Sequence, residues 1–131
     1  MKVLVVDDDE MVRAVCSGML RLLKHDVVTA AGGQEAIEQI VEQESRFDVI
    51  LLDDAMPQMS GRETLAKLLA LDVRIPVILC TGKLVTPAEF SESAKGESTK
   101  GEPTRGQPVS VLSKPFNLKS LQSALAAVLF Q

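Results

Sequence analysis

The chain contains no tryptophan and no tyrosine, and only four phenylalanines. That scarcity disfavours a surface that reads nucleic acid by stacking bases on aromatic rings. Cysteine is nearly as scarce. Cys16 and Cys80 sit far apart, in no C-x-x-C pair and with no histidine spacing that suggests zinc. Both lie in apolar runs and read as small buried hydrophobes. The single histidine, His25, falls in a predicted loop and is given no role. No stretch approaches the ~18 consecutive apolar residues that a bilayer span requires. Met1 leads almost directly into a strand, leaving no room for a signal peptide, so a cytoplasmic address is expected. The net charge is −4 and no basic patch is visible. Direct contact with nucleic acid or membrane is therefore not expected.

What is present reads as one folding unit. At 131 residues, 46% apolar and 24% charged, the chain has the balance of a globular domain. It is long enough to bury a core without disulfides or a structural metal. Two kinds of segment alternate along it. VLVV (3–6), VVTA (27–30), DVILL (48–52), VILC (77–80) and VSVL (109–112) are short, β-branched and mostly apolar. Such continuous runs suit parallel strands covered on both faces. Between them, apolar residues recur at helical spacing. Met11, Val12, Val15, Cys16, Met19, Leu22 and Leu23 mark one predicted helix, and Ala36, Ile37, Ile40 and Val41 another. Leu65, Leu68 and Leu69 form a third stripe, and Leu118, Leu121, Leu125, Val128 and Leu129 the last. SGRE (60–63) and TPAE (86–89) both fit a capping box, the second with Pro87 at the first helical position. Asn117 is placed to cap the last helix. The repeated alternation predicts an α/β domain with a parallel sheet and right-handed crossovers.

One stretch breaks the pattern. Residues 92–106 read ESAKG–ESTKG–EPTRG, tandem pentamers that are each charge-neutral and carry no apolar anchor. Recurrent glycine and Pro103 oppose a stable helix there. Thr86 to about Lys95 is predicted as a short fourth helix, and the segment from about 92 to 108 as a flexible solvated loop, a surface expansion rather than a binding loop. The closing VLFQ resembles a protease-cleavage scar, which would make Phe130 and Gln131 non-native; a natural helix end is the equal alternative.

In a doubly wound sheet, ligands collect beyond the carboxyl ends of the strands. The first strand ends in Asp7-Asp8-Asp9, the third in Asp53-Asp54, the fourth in Thr81-Gly82, and the fifth runs into Lys114-Pro115. Crowded carboxylates raise each other's pKa unless a cation neutralises them. Hard oxygen ligands suit Mg²⁺, which commonly takes one or two protein carboxylates together with phosphate oxygens. A carboxylate can also attack phosphorus to give an aspartyl phosphate. A threonine hydroxyl and a lysine ammonium can then meet the phosphoryl oxygens as charge builds on them. Acid at the end of the first strand thus reads as part of a metal site.

These blocks resemble the receiver domain of two-component response regulators, the CheY-like family. The matching segments are VLVVDDDE (3–10), DVILLDDAMPQMSG (48–61), PVILCTG (76–82) and SKPF (113–116), which cover most of the chain outside the pentamers. The resemblance implies a flavodoxin-like, five-stranded parallel sheet in the order 2-1-3-4-5, with helices on both faces. It implies Asp53 as the phosphoacceptor and Asp8 as a direct Mg²⁺ ligand, with Asp7 acting largely through water. The backbone carbonyl of Ala55 would add a further metal contact. Thr81 would be the switch hydroxyl and Lys114 the phosphate-pairing ammonium, with Lys114-Pro115 a cis peptide. The donor would be a sensor histidine kinase or a phosphotransfer protein, and the phosphorylated form would regulate a downstream protein target. The role is signalling rather than enzymatic turnover. Asp9, Glu10 and Asp54 receive no motif role and read as solvated or helix N-terminal charges.

Departures from the family pattern shape the expectation. Where the family often carries Tyr or Phe, three residues before the lysine, this chain has Val111. Valine lacks the ring that turns inward with the switch threonine, so another readout is needed. The pentamers alter the face made by the fourth helix, the fifth strand and the last helix, a common partner surface in the family. Ala55 has no side chain able to orient a hydrolytic water, and Lys83 follows Thr81 by two; slow loss of the phosphoryl group is expected, and asparagine at 55 would speed it.

Other classes fit less well. A haloacid-dehalogenase-like phosphatase would need an acid where Ala55 stands. A flavin mononucleotide site would be repelled by the acids at 7–10. TGK (81–83) is not a phosphate-binding P-loop, because Val77 occupies the position of its first glycine. The remaining alternative is a receiver-fold interaction module that is not phosphorylated in use.

Overall fold

The three central strands bury both of their faces, and that explains why continuous apolar runs mark them; the edge strands are only partly buried. In the computed structural model, which describes residues 1–43, 46–82 and 109–129, the chain order is β1 (Lys2–Val6), α1 (Glu10–Leu22), β2 (Asp26–Ala30), α2 (Gly33–Gln43), β3 (Val49–Asp53), α3 (Gly61–Ala70), β4 (Val77–Thr81), β5 (Val109–Ser113) and α4 (Leu118–Leu129). The strands form one parallel sheet ordered β2-β1-β3-β4-β5. Val3 pairs with both Val27 and Val49, and Cys80 with both Asp53 and Leu112. The predicted helix over 86–95, the loop to 108, Lys83 and the terminal pair 130–131 lie outside the described residues.

Successive strand side chains point to opposite faces, which divides the core in two. Leu4, Val6, Ile50, Leu52, Val77 and Leu79 pack with Ala36, Ile37 and Ile40 of α2 and Leu65 and Leu68 of α3. Val3, Val5, Val49, Leu51, Ile78 and Cys80 pack with Cys16 and Leu20 of α1 and Leu121, Leu125 and Val128 of α4. Burying one such leucine contributes about 1.5–3 kcal/mol. Both cysteines are buried and free.

The helix starts follow the predicted chemistry. Ser60 and Glu63 form a reciprocal capping box at α3. Asn117 Oδ1 accepts from the Ser120 amide at 2.8 Å, and the Ser120 hydroxyl in turn accepts from the Asn117 amide at 3.0 Å. The helix ends were not legible. Lys24 and Asp72, just past α1 and α3, take φ of 71° and 61°, the left-handed conformation that glycine usually supplies. The tertiary closures behind them hold: the amides of His25 and Val73 each reach back, at 3.0 Å, to the carbonyls of Leu20 and Leu68.

The apolar stripe read for α1 is wider than the face that is buried: Val12, Cys16, Met19 and Leu23 pack on the core. Cys16, Ser17 and Leu20 are buried, whereas Met11, Val15 and Leu22 are 72%, 53% and 72% exposed. At ~100° per residue, Leu20 lies ~180° around the helix from Met11. This helix is apolar on its outer side as well as its inner one. Val41, Leu69 and Leu118 from the other predicted stripes are also exposed.

Candidate functional site

The reversal of strand order at β1 and β3 opens a crevice beyond their carboxyl ends. Alternation along the strands decides which side chains enter it. Asp7 follows Val5, Asp53 follows Leu51, and Lys114 follows Leu112, all on the face covered by α1 and α4. Asp7 is 4% and Asp53 6% exposed. The Lys114 amide donates to the Thr81 carbonyl at 2.8 Å, extending the β4–β5 ladder by one residue and aiming the lysine back over the sheet. The Lys114-Pro115 bond is cis. Lys114 Nζ lies 2.7 Å from Asp53 Oδ1 and 3.2 Å from Asp7 Oδ2. Thr81, the last residue of β4, is buried at the same end of the sheet, while Asp8 and Ala55 are exposed at the rim.

Charge and burial oppose one another here. Burial lifts the Asp53 carboxyl above its ordinary pKa; the Lys114 hydrogen bond opposes the lift, and the Asp7 and Asp8 charges add to it. Burial pulls the Lys114 ammonium down, but its bonds to Asp53 and Asp7 outweigh that and hold it well above the ordinary lysine value. Beneath the carboxylates lies a cavity of about 10 Å³, lined by Asp7, Asp53, Lys114, Phe116 and both cysteines, close to the smallest space that holds one water. Burial and then the Asp7 charge push the Cys16 thiol up to about 11, and burial pushes Cys80 higher still. These thiols are inert packing groups.

Asp7, Asp8 and Asp53 each offer one carboxylate oxygen, and these oxygens lie within 4.8 Å of one another. Carboxylate oxygens at that spacing, two of the three residues buried and one open to solvent, fit a small hard divalent cation such as Mg²⁺. Asp7 and Asp8 after β1, Asp53 on β3, Thr81 on β4 and Lys114 after β5 thus arrive at one end of the sheet, with the Ala55 carbonyl donor at its rim.

The profile of the response regulator receiver domain matches residues 3–126. The chain belongs to that family. This receiver is similar to the two-component response regulator ARR12 of Arabidopsis thaliana, 35% identical over 79 residues that make up 60% of this chain and 13% of that protein. It is 39% identical, over 79 residues, to the transcriptional regulatory protein ZraR of Escherichia coli K12, covering 60% of this chain and 18% of the relative. The receiver therefore spans under a fifth of either relative. The solved chemotaxis protein CheY4 of Vibrio cholerae superposes with a TM-score of 0.76 at 32% identity, over 97% of both chains. TrrA of Thermotoga maritima, solved in complex with Mg²⁺–BeF, shares the fold, with a TM-score of 0.75 at 22% identity over 97% of both chains. No described helix of this receiver is long and apolar enough to cross a membrane.

Several features of the receiver's site were not predicted. Asp9, read from the sequence as a solvated or helix N-terminal charge without a motif role, is the N-cap of α1: its side chain accepts from the Met11 amide at 2.9 Å, and its own amide donates to Asp7 Oδ1 at 2.9 Å. Arg13 Nη1 donates to the Asp7 carbonyl at 2.7 Å. Asp54 pairs loosely with Arg62 at 3.6 Å. A Cβ at Gly61 would stand 2.5 Å from the Asp53 carbonyl oxygen and 2.8 Å from Asp54 Cα, so α3 meets the end of β3 through bare backbone. An aspartate directly before a predicted helix start, with arginine one turn later, is the signal that could have flagged the first pair.

Proposed function

We propose that Asp53 accepts a phosphoryl group from a phosphohistidine on a sensor histidine kinase or phosphotransfer protein, and that the phosphorylated domain regulates a protein target. The observation that carries this reading is a buried carboxylate, Asp53, held 2.7 Å from Lys114 Nζ within an acid cluster open to solvent on the Asp8 side. An Asp53 carboxylate oxygen forms the bond to phosphorus as the donor's P–N bond breaks, and the imidazole leaves with the P–N electron pair. Lys114, already at the acceptor oxygen, follows charge onto the phosphoryl group, and the Thr81 hydroxyl supplies a donor on its other side. Asp7, Asp8, Asp53 and the Ala55 carbonyl would hold Mg²⁺, which when bound neutralises charge on the transferring oxygens.

The product carries roughly −1.5 to −2 charges where a carboxylate stood. Lys114 and Thr81 move toward it, biasing the β4 and β5 ends between two arrangements. With Val111 in place of an aromatic ring, the readout passes through these strand ends rather than through a ring rotation. The test is incubation with a small-molecule phosphodonor and Mg²⁺, read by intact mass. An added phosphoryl mass that is lost in base, absent with chelator and absent in Asp53→Asn supports the reading. An unmodified wild type favours a receiver-fold interaction module instead.

A further inference from the structure

The Asp7–Asp8 peptide carries one buried and one exposed carboxylate, and the direction of that peptide decides where Asp8 points. It lies past the last paired residue of β1, Val6, so the sheet ladder does not fix its carbonyl. Arg13 does. From the second turn of α1, its half-buried guanidinium donates to the Asp7 carbonyl oxygen at 2.7 Å. The Arg13 amide is itself anchored on the Asp9 carbonyl at 3.0 Å, so both ends of the residue hold the same turn. Within that turn, the Asp9 amide pins Asp7 Oδ1 at 2.9 Å.

We propose that Arg13 is a positioning residue for the divalent cation: by fixing the Asp7–Asp8 peptide against α1 it aims the exposed Asp8 carboxylate at the buried pair. The proposal rests on the metal-dependent reading of the site. Two effects of opposite sign separate it from simple charge. A guanidinium near a cation repels it, so removing the arginine would tighten metal binding if charge alone mattered. If the clamp matters, removal loosens the ligand set and weakens binding. Groups that orient metal ligands commonly cost ten- to a hundredfold in affinity when lost, and a charge-assisted hydrogen bond to a carbonyl outside the ladder is a strong hold.

The experiment uses the full chain. Mg²⁺ affinity is measured by titration calorimetry at fixed ionic strength for wild type, Arg13→Ala and Arg13→Lys. Amide hydrogen exchange is measured by NMR on the same proteins in chelator. Arg13→Ala is expected to bind Mg²⁺ about tenfold more weakly, with Arg13→Lys recovering most of the loss because its ammonium keeps a donor within reach. Without metal, the Asp9 amide is expected to exchange several-fold faster in Arg13→Ala, while Leu4 and Val5 in β1 stay protected. Equal or tighter Mg²⁺ binding in Arg13→Ala would overturn the proposal. So would unchanged exchange at Asp9, whatever the metal does. A wild type that takes up no Mg²⁺ would instead remove the metal-dependent reading, and the exchange result would still decide whether Arg13 holds the turn.

Discussion

The turn from β1 into α1 and the loop from β3 into α3 each deliver an acid to the same crevice, by different physical means. The first is built from charge. Three consecutive aspartates are held apart by an amide on Asp7 Oδ1, an N-cap at Asp9, and two cations, Lys114 on the Asp7 side chain and Arg13 on its carbonyl. The second is built from contact. Gly61 touches the Asp53 backbone, its amide reaches the Asp54 carbonyl at 2.8 Å, and a capping box locks α3 in place. The phosphoacceptor candidate thus sits on the rigid, sterically defined side. The exposed metal-ligand candidate sits on the side that can respond to ions. A site that must take up a cation without moving its nucleophile is served by that division.

The contrast can be broken by substitution. Gly61→Ala is expected to cost about 1–3 kcal/mol in urea unfolding, because the new methyl meets backbone rather than a movable side-chain end. Its cost should not change with salt. Asp9→Ala should cost about 1 kcal/mol or less, the lost cap being offset by relief among the acids, and its cost should vary with ionic strength. If Gly61→Ala proves neutral, or if both costs shift equally with salt, the two turns are not built differently.

Acidity sharpens the same comparison. The Asp53 pKa is raised in the folded state, chiefly by burial. Between its unfolded value of ~3.9 and the raised folded value, the folded protein holds a proton that the unfolded chain has lost. Stability from this group is therefore largest at low pH, falls as pH rises through that window, and is level above it. In chelator, Asp53→Asn should gain on wild type as pH rises from ~3.9 toward neutrality. A gain that shrinks with rising pH would mean that Lys114 outweighs burial.

The smallest effect concerns the helices that follow the two turns. Leu22→Ser on the outer side of α1 should change stability by less than ~0.5 kcal/mol, although its spacing marks it as core.

That last contrast shows where sequence reading succeeds and where it stops. The strands were legible to within a residue at their ends, because short β-branched apolar runs mark each of them and the central ones are buried on both faces. That Asp7, Asp8, Asp53, Thr81 and Lys114 would lie at one edge of the sheet was legible because parallel strands put their ends in one place. The outer limit of the α1 stripe was not, since Met11, Val15 and Leu22 share a period with the core residues. Arg13 was missed for a related reason: an arginine one turn into a helix reads as solvated until the turn it grips is seen. Lys24 and Asp72 end their helices in a conformation that no glycine announced.

Whether Asp53 carries the phosphoryl group is decided by reductive trapping. Borohydride converts an aspartyl phosphate to homoserine, and peptide mapping then locates it. After treatment with phosphodonor and Mg²⁺, homoserine is expected at position 53 and nowhere else. Homoserine at Asp7, Asp8 or Asp54 with residue 53 intact would overturn Asp53 as the phosphoacceptor.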